Sequence, residues 1–266
     1  VFIAIPVGPR KAYALLMQLA ALKNLDYPMD RLSINFAVTN VNDLKDCEDY
    51  TRYLRTLLPA ADLDCATSIS FTAPDEEEFA RWGTYALVIV NLHVLRLKFL
   101  EGDFDYFWVL GGDNFPLDRH MLKKLLKMNV DVASPVIAYR PSRVPKERRS
   151  KTRLEPIAWT YEFWPSDIDR ADIAPAIREA LHKAWLNIPM TRFIRAREKV
   201  VHGAMFGSGC SLSTRKAQLY CGYWLPQAGY MSEDLSYCQY LVRYGFDVTV
   251  NTALRCGHFE TDGHIY

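Results

Sequence analysis

Short apolar runs alternate along this chain with longer segments of helical periodicity. Val1–Pro6, Leu32–Thr39, Ser68–Thr72, Tyr106–Leu110 and Val130–Tyr139 read as strands. Between them, Lys11–Asn24 carries Leu15, Leu19 and Leu22 on one side with Leu16 and Ala20 beside them, and Tyr50–Leu58 reads as a helix stopped by Pro59. A third helix opens on the acidic run Asp75–Glu78, which complements the dipole of a first turn, and ends near Leu100, before Gly102. Strand and helix taking turns predicts a parallel, doubly wound sheet for the first half. In the second half helices are expected over Arg119–Met128, up to Trp185 with Pro175 able to open it, and over Leu235–Tyr244 with Gly245 as its C-cap. A strand follows at Phe246–Asn251, and Leu254–His258 ends the recognisable pattern.

The stretch from Tyr106 to Pro116 concentrates the most information. Its first five residues are apolar without alternation, as expected of a strand covered on both faces. Gly111 and Gly112 let the backbone turn, and the turn delivers the single carboxylate of Asp113 to the carboxyl edge of the sheet. Open α/β sheets bind their ligands at that edge. Pro116 ends the pairing, and Asp118 can cap the following helix.

Composition narrows the class. At 266 residues, half hydrophobic and about a quarter charged, the chain suits one large α/β domain with two packed halves. Lys and Arg number 32 against 31 Asp and Glu, a balance that argues against a dedicated nucleic-acid binder. No run has the length of a membrane span, since Ala86–Leu100 carries Asn91, His93, Arg96 and Lys98. No signal peptide is recognised, and Val1 already lies inside the first strand, which leaves an upstream segment or anchor open. The six cysteines show neither C-x-x-C nor zinc spacing, so they read as mostly reduced and structural. That favours a cytoplasmic setting, free or peripheral to a membrane.

Other segments exclude or suggest chemistry. Only Gly8 follows the first strand, so the G-x-G-x-x-G of a dinucleotide fold and the P-loop are both absent. Arg140, Arg143, Lys146, Arg148, Arg149, Lys151 and Arg153 form a basic, Pro-containing loop, either a solvated connection or a lid over an anionic leaving group. Trp159, Tyr161, Phe163, Trp164 and Trp185 suit either a core or the face of a sugar. Gly207 and Gly209 mark close backbone approach, to a ligand or to another strand.

The order of these parts resembles the GT-A fold glycosyltransferases, of the broad family 2 type. The resemblance rests on Val1–Pro6, then Gly111-Gly112-Asp113 in the place of a D-x-D motif, then Gly207-Ser-Gly-Cys210. It continues in Ser232-Glu233-Asp234 opening a Cys-containing helix and in Cys256-Gly-His258, so it runs across nearly the whole chain. It implies a single domain over residues 1–266, with a nucleotide-sugar-binding half at 1–116 and an acceptor or catalytic half at 117–266. The fold would be a Rossmann-like, doubly wound, mostly parallel sheet flanked by helices. The activity implied is transfer of a sugar, of hexosyl type, from a nucleotide diphosphate donor (a UDP-sugar by default, with guanosine diphosphate open) to a hydroxyl of a glycan, lipid-linked or protein acceptor. One departure stands out: Gly111 occupies the position of the first motif acid.

Within that resemblance each residue has an expected role. Asp113 and His258 would hold Mn2+ or Mg2+ against the diphosphate, with His258 reaching the sheet edge after a strand and a glycine. Asp234 would be the general base, inverting the anomeric centre, and Glu233 would orient the acceptor. Strand ends supply the donor contacts Pro6, Val7, Thr39, Asn40 and Asp43, with Gly112 beside Asp113 and Arg81 or Arg96 toward phosphate. Two rivals remain. One is a glycosyltransferase-like module that binds nucleotide or carbohydrate without turnover. The other is a nucleotidyltransferase making the activated sugar, which the short loop Val7-Gly-Pro-Arg-Lys11 disfavours.

Overall fold

The computed structural model describes residues 1–39, 44–72, 84–139, 155–156, 200–202, 209–223 and 233–259. The Asp75–Glu78 helix start, the basic loop, the aromatic group from Trp159 to Trp185, Pro175, Gly207, Ser232, Asn40, Asp43 and Arg81 lie outside them.

The first half is the expected alternation. It runs β1 (Phe2–Val7), a 3-10 turn (Pro9–Ala14), α1 (Leu15–Lys23), β2 (Ser33–Thr39), α2 (Leu44–Ala60), β3 (Ala66–Thr72), α3 (Thr84–Glu101) and β4 (Tyr106–Leu110). Then come β5 (Asn114–Pro116), α4 (Met121–Lys127), β6 (Val132–Tyr139), β7 (Glu155–Pro156), β8 (Val200–His202), β9 (Cys210–Thr214), α5 (Arg215–Tyr220), α6 (Glu233–Arg243) and β10 (Val248–His258). The described strands form one sheet in the order β3-β2-β1-β4-β9-β6-β10-β5, with β7 beside β6 and β8 beside β10. β1 to β4 are parallel, β9 is antiparallel to β4 and to β6, and β10 is parallel to β6. The architecture is a doubly wound, largely parallel sheet flanked by helices.

Continuous apolar runs become two-faced strands. In β1, Phe2 and Ala4 face a core shared with Leu92, Leu95 and Phe99 of α3, while Ile3, Ile5 and Val7 face Leu15, Leu19 and Leu22 of α1. In β4, Phe107 and Val109 take the first side and Trp108 and Leu110 the second. Alternate residues of a strand point to opposite faces, so a strand buried on both has no polar positions to show. Rings of Phe2, Phe99 and Phe107 meet at centroid separations of 5.2 to 5.9 Å and tie α3 to the sheet.

Two expectations change, and one strand is added. The helix expected to stop at Pro59 extends to Ala60 with Pro59 in its last turn, and the backbone bond from Ala61 N–H to Leu57 O, 2.8 Å, shows the ladder closing past it. Residues 210–214 form a strand inserted between β4 and β6 that leads directly into α5, and its polar Ser211 and Ser213 are buried against neighbouring strands. The final pattern is one strand, β10, whose pairing with β6 slips between Asn251 and Arg255. That bulge absorbs residues that break the alternation.

Candidate active site

The edge where Asp113 emerges is built by close packing of backbone. Gly111 N–H donates to Gly209 O at 2.7 Å, and the carboxamide of Asn114 fills the space between the two glycines. A Cβ added at Gly111 would lie 2.5 Å from Asn114 Nδ2, and one at Gly209 would lie 2.7 Å from it. A larger residue at either position would have to displace that carboxamide, and the partner at Gly209 is another segment of this chain. Gly112 also lies close against the end of β1, less tightly, with Pro6 O and Val7 Cγ1 each 3.2 Å from where its Cβ would be. Gln18, a polar residue among the leucines of α1, reaches under the turn and donates from Nε2 to Gly111 O and Asn114 O, both at 2.9 Å.

Strand register brings the imidazole to the carboxylate. β5 pairs antiparallel with the end of β10, matching Cys256, Gly257 and His258 to Pro116, Phe115 and Asn114. Gly257 leaves room for the ring of Phe115, which would be 2.6 Å from a Cβ there. His258 thus falls opposite Asn114, and its Nε2 lies 3.2 Å from Asp113 Oδ2; Phe259 N–H donates to Asp113 O at 2.8 Å. The same Oδ2 accepts from Lys11 Nζ, which comes from the 3-10 turn after β1. Burial pushes the Asp113 carboxyl upward, but the imidazole of His258 and the ammonium of Lys11 outweigh it and hold the group at about 2. For Lys11, burial works against the charge, yet Asp113 and Tyr13 raise its pKa.

The acidic pair opens α6. Glu233 and Asp234 are 8% and 9% exposed, so both carboxyls are largely withdrawn from water. Burial, then the neighbouring Asp234 charge, pushes Glu233 up to about 8. Glu233 Oε2 is buried without a hydrogen-bond partner among the described residues. Both facts describe a carboxylic acid that keeps its proton at neutral pH. The helix closes at Gly245, whose φ of 79° is the one left-handed glycine among the described residues. The chain then enters β10 at Val248, opposite Val132, the first residue of β6. The end of α6 therefore sits at the amino edge of the sheet. Eleven residues rise about 16 Å, roughly a strand's length, which carries the first turn toward the carboxyl edge. Tyr223 agrees with this placement. It feels the charge of Asp234 and lies beside Ser211, which pairs with Val109 two residues before Gly111.

The sequence-predicted residues separate into groups. Asp113, His258, Gly112, Pro6 and Val7 meet at one place, although the Val7 side chain is buried in the core. Thr39 is 1% exposed, and its hydroxyl is bonded to Asn91 and Thr72 in the interior. Arg96 donates from Nε to Gln218 O at 2.7 Å and holds the end of α5. Sequence reasoning missed Lys11, Gln18 and Asn114. A signal existed for two of them, a basic residue just past a strand's carboxyl end and a polar residue inside an apolar helix stripe.

Asp113 and His258 suit two positions of a divalent ion. Donors about 2.1 Å from one ion at right angles lie about 3.0 Å apart, close to the 3.2 Å between Oδ2 and Nε2. Among the described residues no third His, Cys, Asp or Glu joins them. Phosphate and water oxygens would complete such a shell, and the Lys11 ammonium competes for Oδ2.

No family model and no curated protein matches the chain. Among solved structures, S. aureus TarS 1–349 is similar at 10% identity and a TM-score of 0.48, over 94% of this chain and 57% of that chain. The complex of TarS 1–349 with UDP is similar at 10% identity and a TM-score of 0.48, over 94% of this chain and 56% of that chain. The mannosyltransferase PcManGT from Pyrobaculum calidifontis, in complex with GDP-Man and Mn2+, is similar at 17% identity and a TM-score of 0.36, over 51% of this chain and 34% of that chain. This chain thus spans little more than half the length of TarS 1–349. No helix of the described residues is long and apolar enough to cross a membrane.

Proposed function

We propose that the chain is a glycosyltransferase, moving a sugar from a nucleoside diphosphate donor, UDP by preference, to an acceptor hydroxyl. The single observation behind this is the convergence on Asp113. One buried carboxylate at the carboxyl edge of a parallel sheet is met by an imidazole 3.2 Å away and by the ammonium of Lys11, from places 145 and 102 residues distant in the chain. Leaving diphosphate develops negative charge, and fixed positive groups at a sheet edge stabilise it. Asp113 and His258 would hold Mn2+ or Mg2+, which would neutralise charge on the departing diphosphate.

The acceptor side falls to α6. Asp234 takes the proton of the acceptor hydroxyl as it attacks, and direct attack inverts the anomeric centre. Glu233, kept protonated by burial and by Asp234, donates a hydrogen bond that orients the acceptor. Pro6 and Val7 offer backbone to the nucleotide, while Thr39 serves through the main chain since its hydroxyl is engaged. Asn40, Asp43 and Arg81 complete the proposed donor contacts.

The test is a panel of UDP- and GDP-sugars with Mn2+, Mg2+ or EDTA, read by release of the nucleoside diphosphate. Release above that of an Asp113→Ala control supports the reading. Tight binding without release from any donor and acceptor turns it into the non-catalytic module, which Gly111 in place of an acid favours.

A further inference from the structure

The carboxylate that remains of the acidic motif is already paired with a cation belonging to the chain. Lys11 Nζ and His258 Nε2 both approach Asp113 Oδ2, so charge on that oxygen is balanced from two sides. A second carboxylate at position 111 would have to displace the Asn114 carboxamide, which fills the space a Cβ would need. The turn after β4 therefore pairs one negative charge with one positive charge, where two carboxylates would carry two negatives. The ammonium of such a pair is well suited to receiving an anion.

The placement of Lys11 fits that use. Its N–H is anchored to Gly8 O at 2.9 Å, and its Cβ lies 3.3 Å from where a Gly112 Cβ would be, so its backbone is fixed to the end of β1. Its side chain is 42% exposed while that of Asp113 is 10% exposed, so the ammonium stands between the buried carboxylate and solvent. An ammonium has three donors, so Lys11 can meet a phosphate oxygen while it holds Asp113. Tyr13 donates to Phe259 O at 3.3 Å, which steadies the far side.

We propose that Lys11 is a phosphate-binding cation of this site, contacting the diphosphate of the nucleoside diphosphate donor directly, so that part of the donor's binding persists when the divalent ion is removed. This rests on the donor reading above and adds to it the group that takes the phosphates.

The experiment is calorimetric titration of the full chain with UDP, GDP and uridine, in EDTA and in Mn2+, for the parent and for Lys11→Met. Methionine keeps the stem and removes the charge. A second variant, Lys11→Met with Asp113→Asn, removes the pair together, so that a stranded buried carboxylate cannot be the cause of any loss. The parent is expected to bind UDP in EDTA, and both variants to bind it about ten- to a hundredfold more weakly, as loss of one charge-assisted contact gives. Uridine, which lacks phosphate, is expected to bind all three alike. Unchanged UDP affinity in both variants overturns the inference, as does parent binding that needs Mn2+, or a uridine affinity that falls in step with UDP. In those cases the donor reading stands; a parent that binds neither UDP nor GDP in either buffer overturns both.

Discussion

Replacing Gly111 tests why this edge carries one acid instead of two. None of the backbone at Gly111 requires a glycine, since its φ is not left-handed; the objection is purely one of space. A Cβ would stand 2.5 Å from Asn114 Nδ2 and 3.5 Å from Gly209 Cα. The amide is the end of a side chain and can turn, but Asn114 is 5% exposed and also packs on Gly209, so turning it displaces buried neighbours. Overpacking of that kind costs about 1–3 kcal/mol. At about 2–4 °C per kcal/mol for a chain of this size, Gly111→Ala should melt roughly 2–12 °C below the parent. Gly111→Asp should lose more, because its carboxylate adds like charge near Asp113. Trimming the obstacle in Gly111→Ala with Asn114→Ala should make the two losses less than additive, which a double-mutant cycle by urea unfolding measures. If Gly111→Ala is as stable as the parent, or if the two losses simply add, Asn114 is not what holds position 111 to glycine.

Further outcomes follow from the charged groups. Asp113→Asn, in EDTA, should cost about 2 kcal/mol at pH 7, the worth of lowering a carboxyl from 3.8 to about 2. A depressed folded pKa gives stability that is present above 3.8 and lost as pH falls through 2, so about half the difference should remain at pH 3. A cost that is absent at pH 7, or equal at both pH values, would falsify the pairing. Glu233 has the opposite sign. Its folded form binds more protons than the unfolded chain between pH 4.5 and about 8, so stability should fall across that window by at most about 1.4 kcal/mol per pH unit. Glu233→Gln should flatten the slope, and equal slopes in urea unfolding at pH 5, 6.5 and 8 would count against the buried neutral acid. Asp234→Asn should leave UDP affinity intact and lower turnover about a hundredfold or more. Near-normal turnover moves the base elsewhere.

Local chemistry made much of this molecule legible from its residues alone. The unbroken apolar runs at Val1–Pro6 and Tyr106–Leu110 announced strands covered on two faces, and both are. Gly245 was readable as a helix end, and its φ of 79° carries that role. Asp113 at a strand's carboxyl end was readable too, because a turn after a strand is a local event. The tertiary structure alone decided the rest. That Gly111 and Gly209 close on the carboxamide of Asn114, that Ser211 and Ser213 lie in a strand slotted between β4 and β6, and that Thr39 turns its hydroxyl inward all depend on which segments become neighbours. Lys11 is the clearest case. Its place just past a strand's carboxyl end names no partner, and it is the pairing of β1 with β4 and of β5 with β10 that sets its ammonium and the His258 imidazole on one carboxylate oxygen. Periodicity reports what a segment needs from its surroundings; register across more than a hundred residues determines what it receives.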